Sequence, residues 1–287
     1  MAKGRPSNNP VIVHVADIET AQSLTLTWPG SAQVLSQRFW PGPLTLVLPR
    51  SKRVPEAVTG GGPTVAIRFP SHPVAIALIR AANVPIAAPS ANRSSELSPT
   101  RAEHVLRGLD GRIDVLLDGG PTSAGIESTV IDLSTTPPRL LRPGPVSSAE
   151  IEALLGPIDQ RVFEKSPHDS PLPSPGLLAR HYAPDTPLEC IATLEGLRER
   201  AGQLLAKGES IAIVSSSQTG LTGNLKAVVL STEPKPFATD IYRVLHDLDR
   251  ANLTRILILL PPESDEWLAV RDRLLRAAAP IETTREN

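Results

Sequence analysis

Residues 156–187 read GPIDQRVFEKSPHDSPLPSPGLLARHYAPDTP, and no hydrophobic period runs through them. Each proline fixes its own φ and removes a backbone donor, so such a run builds neither a helix interior nor a central strand. The stretch is predicted to be a linker or a long functional loop. It therefore divides the chain into two parts, each of which must find its own hydrophobic pattern.

Before the break the apolar runs are short and rich in β-branched residues. Strands are predicted at VIVHV (11–15), LTLVL (44–48), TVAIRF (64–69), VPIAA (84–88), DVLLD (114–118), STVIDL (128–133) and PRLLR (138–142). Helices are predicted at 31–40, 72–83, 100–109 and 147–156. In the last two, Thr100 with Glu103 and Ser147 with Glu150 have capping-box spacing. Strands outnumber helices and do not alternate with them. This predicts an α+β domain over 1–157 with a large, mixed, twisted sheet. After the break, LECIA, a helix (193–207), SIAIVSS, KAVVLS, a helix (236–250), RILILL and a helix (265–279) follow one another. That rhythm predicts a small α/β Rossmann-like C-terminal domain over 188–287, and without GxGxxG it is not a dinucleotide site.

Composition closes several alternatives. The net charge is -1, so no global basic field draws the chain onto nucleic acid or an anionic membrane. Aromatics at 3 % argue against a stacking platform for single strands. One cysteine, Cys190, cannot form an internal disulfide or a multi-cysteine metal site. Met1 is followed by charged and turn residues rather than an apolar segment, and no apolar run approaches the ~20 residues of a membrane helix. A soluble, cytoplasmic protein is expected, with no membrane partner.

Five polar clusters remain as candidate chemistry. Lys3 and Arg5, followed by Asn9, share a face in extended chain and could straddle a polyphosphate, or form a solvated basic terminus. Arg68 interrupts an apolar strand and needs an anion, either a substrate carboxylate or an internal Asp. PIAAPSANRSSELSPT presents Ser90, Asn92, Ser94, Ser95, Ser98 and Thr100 ahead of a helix, more donors than a cap requires. Arg142 ends a strand at a Pro-Gly turn, where it could clamp a phosphate or simply lie on the surface. Arg180, His181 and Tyr182 sit on a proline-framed loop that could close as a lid or merely dock. There is no nucleophile–base pair, P-loop or zinc spacing. Binding a nucleotide, with catalysis by positioning and charge neutralisation, fits this set.

In this order, KGRPSNNPVIVHV, FWPGPLTLVL, VAIRFPSHP, PIAAPSANRSSELSPT, GIESTVIDL, LLRPGPVS and SPGLLARHYAP closely resemble the YrdC/YciO family. The linker and second domain are similar to its longer, two-domain members. The resemblance implies a YrdC-like fold and a nucleotidyltransferase that makes threonylcarbamoyl-AMP and pyrophosphate from L-threonine, bicarbonate and ATP. The product would serve a downstream tRNA threonylcarbamoyl transferase complex that modifies adenosine 37. It also implies that Lys3, Arg5 and Asn9 hold ATP phosphates, with Lys3 and Arg5 catalytic. Thr64, Ser90, Asn92, Ser98, Arg142 and Tyr182 would line the nucleotide site. His14, Arg68, the backbone near Ala88 and Ser128 would hold threonine, and His181 and Tyr182 would form the lid. Mg²⁺ would ride on the phosphates rather than in a protein cage.

Some features depart from the family pattern. The family places about fifty residues, including a first strand and helix, before the Lys-Gly-Arg stretch, so a chain starting at Met1 would have an open sheet edge. Ser95 stands where glycine is usual. Two rivals follow: a YrdC-like module that binds double-stranded RNA, weakly if at all at this net charge, and a catalytically dead truncated copy acting as an interaction protein. RNA binding of the first kind would show a steep salt dependence.

Overall fold

The computed structural model describes residues 2–160, 175 and 181–278. In chain order the elements are β1 (Ile12–His14), α1 (Ile18–Ser23), α2 (Gly30–Phe39), β2 (Leu44–Pro49), α3 (Glu56–Thr59), β3 (Thr64–Arg68), α4 (Pro73–Ala82), β4 (Ile86–Ala88), α5 (Ala102–Leu109), β5 (Thr129–Asp132), β6 (Arg139–Arg142), α6 (Ser148–Leu155), β7 (Leu188–Ile191), α7 (Leu194–Ala206), β8 (Ile211–Ser215), β9 (Leu225–Val229), α8 (Pro234–Leu248), β10 (Arg255–Leu259) and α9 (Leu268–Ala278). They group into two units. One holds the described residues among 4–90 and 127–178, the other those among 1–3, 91–126 and 179–287.

The first unit is built on one six-stranded sheet of order β4-β1-β3-β2-β5-β6. β1 runs parallel to β3 and β2 parallel to β5, while β1–β4, β2–β3 and β5–β6 are antiparallel. The sheet is mixed, as the pattern predicts. Ile12, Val47, Ala66, Val130 and Leu141 form one apolar cluster across it. Pro73 opens α4 at its first turn, where its missing N–H costs nothing. Ser147 and Glu150 close the expected capping box on α6.

The second unit carries a four-stranded, all-parallel sheet of order β7-β10-β8-β9. Its two central strands, β8 and β10, are buried on both faces. Ala212, Val214, Ile256 and Ile258 pack with Phe237, Ile241 and Leu245 of α8 and with Val270 and Leu274 of α9. Ile211, Ile213 and Leu257 face the other way, onto Leu197, Ala201 and Leu204 of α7. Helices on both faces of a parallel sheet make the expected α/β sandwich. Cys190 packs at the edge of this core, and burial pushes its thiol up to about 12, so it is an inert apolar group.

Two expectations are corrected. DVLLD forms no strand; it runs as extended loop, with Val115 and Leu117 exposed. Its pattern suits a strand, but it pairs with neither sheet. The Thr100–Glu103 capping box does not form either. The cap residue of α5 is Arg101, without a side-chain cap bond, because Thr100 turns its N–H and hydroxyl toward the His104 ring. The short helices α1 and α3 lie in segments the periodicity did not single out. The sequence partition at 157 and 188 also differs from the partition by contact, because residues 91–126 group with the C-terminal segment.

Candidate active site

The sheet of the first unit delivers a set of polar side chains to one rim. His14 ends β1 and is paired in register with Arg68, which ends the parallel β3. β2 runs antiparallel to β3, so its first residues, Leu44 and Thr45, lie at the same end. β5 runs parallel to β2 and begins there, just after Ser128. β6 runs back against β5 and finishes at Arg142. Each reversal of direction exchanges a strand start for a strand end, so five adjacent strands present His14, Arg68, Thr45, Ser128 and Arg142 along one edge.

Hydrogen bonds lock this set. The Arg142 Nε donates to Ser128 O at 3.0 Å, and its Nη2 to Ser128 Oγ at 3.1 Å. Ser128 Oγ and Thr45 Oγ1 are 2.8 Å apart. Arg142 Nη1 reaches Pro175 O at 3.3 Å. The Arg68 Nε donates to Gly42 O at 2.9 Å. Gly42 has no room for a side chain, since a Cβ would stand 2.1 Å from Phe39 O. Gly144 is equally constrained, with a Cβ placed 2.4 Å from Thr129 N. The Pro-Gly turns in both motifs therefore bring backbone close enough to set the two arginines.

The electrostatics are those of an anion site. Arg142 is 4 % exposed, yet its hydrogen bonds go to two carbonyls and a hydroxyl. Among the described residues neither Arg68 nor Arg142 is paired with a carboxylate. Burial, and then Arg142, lowers Arg68 to about 10, still a full cation at neutral pH. Burial, with Arg68 adding to it, lowers His14 to about 4, so its ring is neutral. Two guanidiniums that feel each other, with no carboxylate partner among the described residues and a neutral imidazole at the same rim, can take a carboxylate or a phosphate oxygen.

The other predicted residues fall elsewhere. Thr64 starts β3, at the opposite end from Arg68, about 13 Å away for a strand of this length. Arg5 and Asn9 precede β1 at that far end, where the Arg5 Nη2 donates to Asn9 Oδ1 at 2.7 Å and to Pro10 O at 2.5 Å. Ala88 lies two residues along from the His14 rim, opposite Ile12, and Ser90 follows it. So Arg142, expected with the nucleotide, joins the residues expected to hold threonine, while Thr64, Arg5 and Asn9 form a separate group.

Lys3, Asn92 and Ser98 belong to the second unit. The Lys3 ammonium is hydrogen-bonded to Asn92 O, and Ser94 N donates to Lys3 O at 2.9 Å. Asn92 is buried and spends its amide on Arg93 O and Glu96 O, both at 2.9 Å, which shapes the hydroxyl-rich loop. His181 and Tyr182 are also in this unit, buried in its core. Tyr182 has φ 60, stacks edge-on with His181 at 4.0 Å and lies under the Arg273 guanidinium. Arg180 lies outside the described residues. Among the described residues no cluster of His, Cys, Asp and Glu could hold a metal.

Sequence reasoning missed Thr45, hidden as a polar residue in an apolar strand. A hydroxyl inside LTLVL was the available signal.

Comparison with known proteins gives the family. The Sua5/YciO/YrdC family profile, described as telomere recombination, matches residues 1–144. A second profile, the threonylcarbamoyl-AMP synthase C-terminal domain, matches 146–279. The threonylcarbamoyl-AMP synthase of Bacillus subtilis (strain 168) is 41 % identical over 285 residues, covering 96 % of this chain and 81 % of its own. That of Pyrococcus abyssi is 40 % identical, with 96 % and 82 % covered. The crystal structure of P. abyssi Sua5 complexed with L-threonine superposes with a TM-score of 0.87 at 40 % identity, over 96 % of this chain and 82 % of that one. The same TM-score is found for a variant of that protein in which a neighbouring histidine and tyrosine are both alanine.

Proposed function

This chain belongs to the Sua5/YciO/YrdC family, and on that premise we infer that it is a threonylcarbamoyl-AMP synthase, a nucleotidyltransferase of tRNA modification. The observation that carries the reading is Arg68 and Arg142 at one rim of the mixed sheet, near enough for Arg142 to lower Arg68, with neither paired to a carboxylate among the described residues. A solved relative is complexed with L-threonine, and a threonine carboxylate is an anion that two guanidiniums can bind.

The chemistry asks little covalent help from the protein. The threonine amine, having lost a proton, adds to the carbon of bicarbonate or CO2 to give a carbamate; from bicarbonate, water leaves. A carbamate oxygen then attacks the α-phosphorus of ATP, and pyrophosphate leaves with the electrons of the broken P–O bond. Arg68 and Arg142 fix the carboxylate, and Ser128, held by Thr45 and Arg142, offers its hydroxyl beside it. His14 stays neutral and so does not repel the substrate ammonium. Positioning and charge neutralisation supply the acceleration. Lys3, Arg5, Asn9, Thr64, Ser90, Asn92 and Ser98 are assigned to the nucleotide. The triphosphate would carry Mg²⁺, which would supply charge neutralisation there. The lone His-Tyr pair of this sequence, His181–Tyr182, matches in kind the pair replaced in the P. abyssi variant, and we assign it to fastening the end of the linker, since both rings are buried in the second unit. We place the reaction in the cytoplasm, with a tRNA threonylcarbamoyl transferase as consumer of the product. Among the described residues no helix is long and apolar enough to cross a membrane.

The test is pyrophosphate release from MgATP with threonine and bicarbonate each supplied or withheld. Release is expected only with both. Arg68→Ala should raise the threonine KM by about one to two orders of magnitude, the worth of charge-assisted hydrogen bonds. Release that ignores threonine or bicarbonate would overturn the assignment.

A further inference from the structure

The second unit contains a pair of stacked imidazoles that the reaction above does not use. His104, on α5, and His246, on α8, have ring centroids 3.8 Å apart and planes 28° apart. The His104 side chain is fully buried. The two rings reach the two ends of one tripeptide, Ser98-Pro99-Thr100. His246 Nε2 lies 3.1 Å from Ser98 O, and a carbonyl only accepts, so Nε2 carries the proton. Thr100 N lies 3.2 Å from His104 Nδ1, and an amide N–H only donates, so Nδ1 is the bare nitrogen. Thr100 Oγ1 adds a contact at 3.3 Å to the same nitrogen, and Thr100 O accepts from Thr122 N at 3.0 Å. Pro99 has no N–H to offer. Both backbone groups that flank it are thus taken by imidazoles whose faces rest on each other.

We propose that His246 is a positioning residue for nucleotide binding: through the His104–His246 stack the C-terminal helix α8 holds the Ser98–Thr100 backbone in the conformation that meets ATP. The proposal rests on the assignment of Ser98 to the nucleotide. It gives the C-terminal segment a part in the reaction although none of its residues need touch the reacting atoms. The contact requires a neutral His104 with a bare Nδ1, since an imidazolium at 104 could not accept from Thr100, and a proton on His246 Nε2 to donate to Ser98 O.

The experiment compares the full chain with His246→Leu and His246→Gln. Glutamine can place its amide nitrogen where Nε2 stands and donate to Ser98 O; leucine fills space without donating. ATP and threonine affinities are measured separately by calorimetry, alongside the thermal midpoint. For His246→Leu we expect ATP to bind about tenfold more weakly, the effect of one lost hydrogen bond, with threonine affinity within about twofold. His246→Gln should recover most of the loss. Equal ATP affinity in wild type and His246→Leu would overturn the proposal. So would an equal loss for both substrates with no recovery by glutamine, since that is a packing effect. If the wild-type chain binds no ATP, the nucleotide assignment of Ser98 falls, and the clamp is judged by amide exchange at Thr100. Exchange should then be faster in His246→Leu than in wild type or His246→Gln, and equal rates in all three would overturn it.

Discussion

A strand that reads TVAIR puts a guanidinium where the pattern asks for an apolar group, and that conflict is the most informative residue-scale signal in the chain. The structure resolves it by giving Arg68 a carbonyl, a neutral histidine and a second arginine, but no carboxylate among the described residues. The neighbouring His14 carries a consequence for pH. Its folded-state value is held near 4 against an ordinary 6.5, chiefly by burial. His104 is lowered to about 4 as well, by burial and then by His246. A depressed histidine contributes stability that is present above 6.5 and is lost as the pH falls toward 4. Urea unfolding midpoints are therefore expected to stay level from pH 8 to 6.5 and to decline below that. The decline should be shallower in His14→Asn, which has no proton to take up. The pH–rate profile should show no ionisation from His14 near 6.5.

At the scale of elements, the turns matter more than the strands they join. β5 and β6 are ordinary apolar strands, yet Arg142 meets Ser128 only because Pro143-Gly144 brings the chain back across Thr129. Thr129 Oγ1 completes the turn, donating to Val146 O at 2.7 Å and accepting from Val146 N at 3.0 Å. Gly144→Ala would force a methyl against backbone that cannot give way. It should destabilise the chain by about 1–3 kcal/mol, the usual range for overpacking. A threonine affinity lost by more than stability explains would show in calorimetry on the folded fraction. Ser95 adopts φ 71, a left-handed backbone that glycine takes more easily, and its carbonyl accepts from Ala183 N at 3.1 Å.

For the whole molecule, the partition by contact gives residues 91–126 to the same unit as the C-terminal sheet. Leu97 and Ile126 pack in one apolar cluster with Phe237, Ile241 and Tyr242. Gly125 lies so close to α8 that a Cβ there would meet Ala238 O at 2.1 Å. The hydroxyl-rich loop is thus a client of the C-terminal core. A chain ending at residue 186 should lose amide protection across 91–126 while β1–β3 and β5–β6 keep theirs, as read by hydrogen exchange. Retained protection of 91–126 would show that this segment folds without its partners.

What could be read from sequence and what could not divide along a physical line. Period-2 and period-3.6 patterns reflect burial of one face, which a residue experiences through its near neighbours, so β1–β6, α4, α6 and the α/β rhythm of 188–278 were legible. Arg68 was legible as a cation in need of an anion, and the ordered motifs were legible as a family. Partner choice was not. DVLLD has strand chemistry and no strand to pair with, and Thr100 had two suitors, Glu103 three residues on and His104 four, of which the ring won. Thr45 joined the site because antiparallel pairing turns a strand start into the neighbour of a strand end. The two histidines met because α8 packs beside a loop well over a hundred residues earlier in the chain. Residue chemistry is written locally, but which groups share a rim or a stack depends on long-range closure, and only the tertiary structure decides that.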